Sequence, residues 1–351
     1  MCLGHGLNMQ NNLIIYNLET DLESDVLAAA HDWINEFSKI YDQVLVYSTR
    51  VGKTNLPLNC KANQIGGKSI SGRFYAFKNL LKSIYTVSRL EGHKQVFYHM
   101  NHKAAIVVAP FLYLLRIKQI IWYSHSKYSF GLKFASIFVD YCVSTSSETF
   151  PFKTKKFRAI GHGIDQEKFN AYNREEFDSV NKSQILASGR VVPVKNIEKM
   201  VNEIVGLNLD LILLGSQPDP VYINKLEKIS TSSKVKLEFV KPIAFSEIKD
   251  FYLKFNFALN CTPKSVDKAI LEAAMCGCIP ISDNINVLKA TGMFDYWINL
   301  SGVLPTIREQ LELIFKLKQS EIKHLSQTIS TETSKRNALK NTIYRISLLF
   351  G

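Results

Sequence analysis

The stretch KSVDKAILEAAMCGCIPI, Lys264–Ile281, predicts a loop, a short helix, a turn and a buried strand. Lys268–Met275 is an unbroken run of helix formers. Asp267 before it is a favourable N-cap, because its carboxylate can accept hydrogen bonds from the free N–H groups of the first turn. Gly277 is placed to end the helix, and Cys278–Ile281 has the apolar character of a buried strand. This pattern is typical of an α/β protein.

The start of this helix is a candidate anion site. The preceding segment FALNC, Phe257–Cys261, predicts a strand, so the helix begins at a strand end, where its N–H groups and dipole favour a phosphate. Glu272 is the only acid in the helix. If it is buried it needs a partner, and the vicinal hydroxyls of a ribose would serve. On this stretch alone, a core helix with Glu272 on its solvent face is an equally good interpretation.

The bulk composition indicates a soluble globular protein of two domains. The chain has 351 residues, which is long for one hydrophobic core. Its six cysteines are scattered, and Cys276 and Cys278 have no second pair at zinc-site spacing, so we expect reduced thiols, no metal site and a cytoplasmic protein. The longest apolar run, Ala104–Leu115, contains a proline and is too short to span a bilayer.

The net charge of +12 is unevenly distributed. Residues 1–49 contain one basic and seven acidic side chains, whereas residues 50–158 contain eighteen basic and three acidic ones. A basic block inside a folded domain predicts an anionic partner, which could be nucleic acid, a membrane surface or a phosphate-rich substrate.

The first half of the chain alternates strands with helices, which indicates a parallel sheet. The loop after the first strand lacks the G-x-G-x-x-G pattern, which argues against an NAD-binding domain. The predicted strands are Asn12–Asn17, Tyr41–Tyr47, Gln95–His99, Gln119–His125, 141–145 and 156–160. The predicted helices are 26–39, 73–90, 103–116 and 133–138, and an acidic loop, Leu18–Asp25, precedes the first of them.

The predicted helix 73–90 is basic and amphipathic. Lys78, Lys82 and Arg89 fall close together on one face, opposite apolar residues. Such a helix can lie on an anionic membrane, and it can equally be an ordinary surface helix with solvated lysines. Basic patches with aromatic residues also occur in nucleic-acid-binding proteins, but no recognised motif of that class is present, so we expect no nucleic-acid partner.

His125 is the candidate functional residue of the first half. It ends a predicted parallel strand, and ligands of open α/β sheets bind at the carboxyl ends of the strands. It is therefore a candidate hydrogen-bond donor or base, with a structural histidine as the alternative.

A polar stretch, 166–182, predicts a linker, and a second α/β set follows it. Its predicted strands are Gln184–Ser188, Leu209–Leu214, 235–240, Phe257–Cys261 and Cys278–Ile281. Its predicted helices are Asn196–Val205, 220–231, 246–254, Lys268–Met275, 304–317 and 319–348.

Four blocks of the second half together carry a family resemblance. They are GHGID (161–165) with Phe169, SGRVVPVKNIE (188–198), LILLGSQPD (211–219) and KSVDKAILEAAMCGCIPI (264–281). In order and approximate spacing they resemble the nucleotide-sugar-dependent glycosyltransferases of family 4. In the first half, HMN (99–101), WYSH (122–125) and TSSETFP (145–151) are more faintly similar to members that build bacterial surface polysaccharides.

The resemblance implies a GT-B fold, in which two Rossmann-like domains have parallel sheets that face each other across a cleft. It implies an acceptor-side domain over 1–165, a nucleotide-sugar-binding domain over 166–335, and a C-terminal helix, 336–351, that packs back on the first domain.

The resemblance also implies the site. Arg190 and Lys195 would hold the donor diphosphate and neutralise the leaving group without a metal, Glu272 would bind the ribose, and His125 would lie at the reacting sugar. The implied catalytic residues are His125, Arg190 and Lys195. The implied donor-binding residues are Gly189, Arg190, Lys195, Gly215, Asp267, Lys268, Ala269, Ile270 and Glu272. Lys264 departs from the family, because it stands where the first glutamate of the Glu-x7-Glu block is usual, and Asp267 is the candidate substitute.

The expected function is retaining transfer of a sugar from a nucleoside diphosphate to a lipid-linked or oligosaccharide acceptor in O-antigen or capsule synthesis. A UDP-sugar is favoured and a GDP-sugar is possible. With the basic block, this predicts a cytoplasmic protein, peripheral on the inner face of the cytoplasmic membrane. The alternatives are an inactive GT-B-shaped scaffold, for which Lys264 is the only support, and a nicotinamide oxidoreductase, which lacks its glycine fingerprint.

Overall fold

The structure is a computed structural model that describes residues 10–24, 27–66, 70–125, 127–171, 183–217 and 219–351. It divides into two compact units. The first runs to Ile160 and includes Thr342–Gly351, and the second is Gly161–Asn341. The predicted start of the first helix at Val26 and most of the predicted linker, 172–182, lie outside the described residues.

The first unit is built on a parallel sheet of seven strands in the order β3-β2-β1-β4-β5-β6-β7. The strands are β1 Asn11–Thr20, β2 Gln43–Val51, β3 Cys60–Gln64, β4 His93–His99, β5 Lys118–Trp122, β6 Tyr141–Ser144 and β7 Phe157–Ala159. The helices are α1 Ala29–Ser38, α2 Ile70–Arg89, α3 His102–Leu114 and α4 Phe130–Phe138.

The central strands of this sheet are apolar on both faces, as helices on both sides require. On one face, Tyr16 stacks between Tyr47 and Tyr98, with ring centroids 5.3 and 5.4 Å apart. The buried sides of α2, α3 and α4 pack on this same face. The opposite sides of these three helices are therefore exposed.

The second unit contains a parallel sheet of five strands in the order β10-β9-β8-β11-β12. The strands are β8 Gln184–Ser188, β9 Asp210–Leu214, β10 Leu237–Val240, β11 Phe257–Asn260 and β12 Ile279–Ser282. The helices are α5 Ile197–Ile204, α6 Pro220–Ser233, α7 Ile248–Tyr252, α8 Lys268–Met275, α9 Ile285–Thr291, α10 Met293–Ser301, α11 Ile307–Phe315 and α12 Gln319–Asn337, followed by α13 Leu339–Phe350.

Several predictions for the first unit were wrong in detail. The strand β3 was not predicted, because its sequence CKANQ is short and contains no β-branched or aromatic residue. Leu18–Thr20 is not part of an acidic loop but continues β1, which pairs with β2 as far as Thr20. The helix α2 begins at Ile70, before the predicted start. The strand β5 ends at Trp122, so it does not reach His125.

The helix α3, which carries the longest apolar run of the chain, is only partly buried. Ala104, Ala105 and Leu112 are in the core, whereas Tyr113 and Leu114 at its end are exposed.

The predicted helix 319–348 is two helices. At Ala338 the backbone leaves the helical conformation and is extended, with φ −56° and ψ 135°. There Ile164 donates its N–H to the carbonyl of Asn337 at 2.8 Å and accepts one from Leu339 at 2.7 Å. This bridge interrupts the helix without a proline or glycine in the sequence, so no local signal marked it. The helices α9 and α10 were also not predicted.

Candidate functional site

The topology of the second unit places one crevice where ligands bind in open α/β sheets. β8 comes first in the chain, and β9 lies on one side of it and β11 on the other. The chain therefore leaves the sheet in opposite directions after β8 and after β11, and the loops at their carboxyl ends separate. These loops are Gly189–Lys195 and Cys261–Asp267.

The Gly189–Lys195 loop is held against the turn after β9. Gly189 donates its N–H to the carbonyl of Leu214 at 2.8 Å, and Val191 donates to Ser216 at 2.9 Å. Gly189 has φ +130° and Gly215 has φ +147°, both in a region that L side chains rarely adopt. A Cβ on Gly215 would lie 2.2 Å from the carbonyl oxygen of Gly189. The backbones can approach this closely only because residue 215 is glycine.

The loop ends in a turn that places Lys195 beside Asp267. Pro193–Lys195 is one turn of 3-10 helix, and Asn196 after it has φ +52°. Lys195 Nζ lies 2.6 Å from Asp267 Oδ1, and each side chain is 16% exposed. This pair joins the two loops that flank the crevice.

Asp267 stands at the N-cap position of α8, but its side chain does not cap the helix. Its Oδ2 instead accepts hydrogen bonds from Asn260 Nδ2 at 2.8 Å and from Thr262 Oγ1 at 2.6 Å. The predicted capping was wrong, because tertiary partners compete for both carboxylate oxygens. The N–H groups of the first turn of α8 consequently lack a side-chain cap, which leaves them available to an anion.

Glu272 lies in the protein interior rather than on a solvent face. Its side chain is 6% exposed, and Oε1 lies 2.8 Å from Lys268 Nζ one turn earlier. The two groups form an ion pair, but their geometry is not that of a hydrogen bond. Oε1 accepts no hydrogen bond from the described residues. Burial, and then the nearby charge of Glu272, raises the pKa of Tyr252 well above its usual value. A buried carboxylate with spare acceptor capacity suits a hydroxyl donor.

The other candidates of the second unit differ in exposure. Gly189, Arg190 and Lys195 line one small cavity with Asn260. Arg190 is exposed and forms no ion pair within the described part of the chain. Ala269 is half-buried, and Ile270 is in the core, so only its backbone can reach a ligand.

His162 is a residue of this region whose role the sequence did not indicate. Its Nε2 lies 2.9 Å from the carbonyl oxygen of Val266, the residue before Asp267. Burial lowers the pKa of His162 to about 4, so the ring is neutral at pH 7 and Nε2 carries the proton that it donates. The imidazole therefore fixes the loop that presents Asp267. The only sign of this role in the sequence was the position of His162 in the GHGID block.

Comparisons in sequence give no relative, because no family model and no curated protein match the chain. Solved structures do match. The Anabaena protein Alr3699/HepE in complex with UDP-glucose superposes with a TM-score of 0.69 at 14% identity, over 96% of this chain and 98% of that one. A glycosyltransferase from Rickettsia africae superposes with a TM-score of 0.70 at 12% identity, over 97% and 98%.

The catalytic domain of starch synthase IV from Arabidopsis thaliana, bound to ADP and acarbose, superposes with a TM-score of 0.73 at 13% identity, over 97% and 99% of the two chains. This chain has the GT-B fold. The α/β prediction, with two Rossmann-like domains built on parallel sheets, is confirmed. At this level of identity the likeness concerns the GT-B fold alone.

His125 belongs to the first unit of the GT-B fold, whereas the other candidate residues belong to the second. It lies three residues beyond the end of β5, on the carboxyl side of the sheet, and it is exposed. Its Nδ1 accepts a hydrogen bond from the backbone N–H of Lys127 at 2.9 Å. Nδ1 is therefore the unprotonated nitrogen of the neutral ring, and Nε2 carries the proton.

Two further observations concern metal ions and membranes. Among the described residues, no group of three or more His, Cys, Asp or Glu side chains could hold a metal ion. Within the same residues, every helix is too short or too polar to span a membrane.

Proposed function

We propose that the protein is a retaining glycosyltransferase that moves a sugar from a nucleoside diphosphate to an acceptor. One arrangement carries the proposal. At the topological switch point of the second unit, Lys195 and Arg190 accompany a helix N-terminus whose N–H groups have no side-chain cap. Cations and free N–H groups together recognise a diphosphate.

This arrangement suits the departure of a nucleoside diphosphate. When the bond from the anomeric carbon to the phosphate oxygen breaks, its electron pair passes to that oxygen. Cations that are already in place stabilise the transition state, in which this negative charge grows, more than they stabilise the ground state. They therefore lower the barrier. Asp267 holds Lys195 in place at 2.6 Å before the donor binds. Preorganisation by Asp267 is thus part of the proposed mechanism, and no metal is required in it.

Glu272 is the proposed ribose-binding residue. Its buried Oε1 accepts no hydrogen bond from the described residues. Two vicinal hydroxyls would supply donors at that position. The proposed donor is a UDP-sugar, because the Anabaena structure holds UDP-glucose, and a GDP-sugar is the second possibility. The remaining proposed donor contacts are the backbone at Gly189, Gly215, Ala269 and Ile270, with Lys268 and Asp267 at the helix start.

The proposed acceptor is a lipid-linked or growing oligosaccharide of a surface polysaccharide, bound by an acceptor-side domain, 1–165. The donor would bind domain 166–335, and 336–351 would be the returning C-terminal helix. His125 would lie at the reacting sugar. These assignments rest on the sequence resemblance.

An exposed apolar surface of the first unit supports the proposal of a lipid-linked acceptor. We call it the aromatic face. It consists of the exposed apolar residues of α2 and α4, two helices whose buried sides pack against the same face of the sheet. They are Phe74, Phe77, Leu81 and Tyr85 with Phe130, Phe134 and Ile137. Phe74 is 77% exposed and Phe130 is 78% exposed. Several exposed apolar side chains on one side of a domain are typical of an interaction site.

The charge around the aromatic face fits an anionic bilayer. Lys78, Lys82 and Arg89 lie on α2 and Lys133 lies on α4, and none forms an ion pair within the described part of the chain. Between residues 70 and 139 the sequence has ten basic side chains and one acidic one. Aromatic side chains at the interface and lysines above it are the signature of a peripheral membrane surface. We propose peripheral binding to the inner face of the cytoplasmic membrane.

The test of the donor site is UDP binding by calorimetry to the wild type and to Lys195→Gln. A charge-assisted hydrogen bond is worth about 1.5–3 kcal/mol, so the variant should bind UDP about ten- to a hundredfold more weakly. Lys199→Gln is the matched control, because Lys199 belongs to the neighbouring helix and pairs with the surface acid Asp283. Equal UDP affinity in Lys195→Gln and the wild type would refute the proposed site.

A scaffold without turnover is the second candidate function, and Lys264 favours it. This lysine has no ion-pair partner among the described residues, and it stands in the loop before α8 with φ +64°. Transfer or slow hydrolysis of a UDP-sugar that disappears in Lys195→Gln would exclude the scaffold. UDP binding without either reaction, across a panel of donors, would favour it.

A further inference from the structure

A second cavity lies in the first unit, apart from the candidate donor site. It has a volume of about 380 Å³ and lies between the helix α2 and the last two strands at one edge of the sheet, β2 and β3. The chain passes from β2 to β3 without a helix, and the cavity lies where α2 passes over these two strands. Its size is at the lower end of the range for small-molecule sites.

The charge of this cavity is positive. Lys61 from β3 and Lys82 from α2 line it, and no acidic residue among the described ones does. Neither lysine forms an ion pair with an acid in the part of the chain that the structure describes. Two ammonium groups on separate elements, with no carboxylate between them, create a potential that attracts an anion.

Part of the remaining lining can form the contacts that a sugar requires. Asn63 and Asn79 donate their amide N–H groups to the carbonyls of Val46 at 3.5 Å and Ile65 at 3.3 Å. Their amide oxygens are thereby left to accept from a hydroxyl. Tyr75 also lines the cavity, and it is 59% exposed, so its ring has a face on which a sugar can pack.

We infer that this cavity binds a sugar phosphate. Lys61 and Lys82 would hold the phosphate from two sides, the oxygens of Asn63 and Asn79 would accept from sugar hydroxyls, and Tyr75 would pack against the ring. The site is distinct from the donor site, because it lies on the flank of the other unit and takes no residue from the second.

The source of the sugar phosphate follows from the neighbouring surface. Phe74, Phe77 and Leu81 are exposed on the same helix, on the turns that carry Tyr75, Asn79 and Lys82 into the cavity. A lipid joined to the phosphate would therefore leave the cavity beside the aromatic face. This lipid-linked form rests on the proposed function, whereas the sugar phosphate site does not.

The test is calorimetric titration with glucose 1-phosphate, with UDP present to occupy the donor site. Lys61→Gln and Lys82→Gln should each weaken binding about tenfold, since each removes one charge-assisted contact. Lys78→Gln changes the same helix outside the cavity, and Lys199→Gln changes the surface of the second unit, so both should bind like the wild type. No binding to the wild type, or unchanged binding in the two cavity variants, would overturn the inference.

Vesicles distinguish the two sources. Neutral phosphatidylcholine vesicles that contain a polyprenyl phosphate-linked glucose should sediment the wild type, and Lys82→Gln should reduce that fraction. Binding of soluble glucose 1-phosphate without vesicle capture would support the site and overturn its lipid-linked form. UDP affinity measured on each variant separates the outcomes, because the cavity variants should keep it whether or not the cavity binds a sugar phosphate.

Discussion

Substitution of Gly215 by alanine tests whether the turn after β9 sets the position of the Gly189–Lys195 loop, which is the proposed phosphate-binding loop. The new Cβ would lie 2.2 Å from the Gly189 carbonyl oxygen and 3.3 Å from the Arg190 nitrogen, whereas real Cβ contacts stay above 3.0 Å. The Gly189–Lys195 loop must therefore move by about 1 Å, and a displacement of that size in a catalytic loop costs on the order of a hundredfold in rate. The strained φ and the overpacking together should lower the free energy of unfolding by about 2–4 kcal/mol.

Gly206→Ala is the matched control. Gly206 also has a positive φ, +78°, but no atom lies within 4 Å of its Cβ position. The control therefore carries the backbone strain without the clash, and should lower stability by about 1–2 kcal/mol and leave UDP affinity unchanged. The assays are urea unfolding, UDP titration and transfer from UDP-glucose. If Gly215→Ala bound UDP as tightly and reacted as fast as Gly206→Ala, the close approach of Gly215 and Gly189 would not position the site.

Three further predictions follow from single contacts. Because burial lowers the pKa of His162 to about 4, the unfolded chain takes up a proton near pH 6.5 while the folded one stays neutral. Stability should fall on the order of 2 kcal/mol more between pH 7 and pH 4.5 in the wild type than in His162→Gln, and equal slopes in urea unfolding would contradict this. Glu272→Gln should weaken UDP binding by about 1.5–3 kcal/mol and 2′-deoxy-UDP binding by less, whereas an equal loss would place the carboxylate elsewhere than on the 2′-hydroxyl. Phe74→Ala and Phe77→Ala should each lower partition onto anionic vesicles about ten- to a hundredfold, since each removes on the order of 1.5–3 kcal/mol of apolar burial. Val221→Ala is their control, because Val221 on the second unit is as exposed as Phe74. An equally large loss of vesicle binding in Val221→Ala would exclude the aromatic face as the docking surface.

Local chemistry was enough to predict the elements whose sequence has one strong preference. The helix Lys268–Met275 and the strand Gln184–Ser188 have the bounds that the sequence predicted. Helix formers in one case and a short apolar run in the other leave no competing local conformation. The four blocks, in their order, carried the resemblance to the family 4 glycosyltransferases, and that resemblance implied the GT-B fold.

Elements held by distant partners could not be predicted from local patterns. The polar strand β3 exists because its backbone pairs with β2 from Cys60 to Gln64, and backbone hydrogen bonds leave no trace in side-chain patterns. The break at Ala338 likewise depends on the backbone of Ile164, which is far away in the sequence.

The sequence by itself determined the α/β class, the five strands of the second unit and the residue types at the candidate site. Only the tertiary structure decided their partners. Asp267 has the chemistry of a helix cap, but Lys195, Asn260 and Thr262 take both of its oxygens. Glu272 has the chemistry of a surface acid, but the packing of α8 buries it. A side chain's type sets which bonds it can form, and the free energy of the whole fold selects among them.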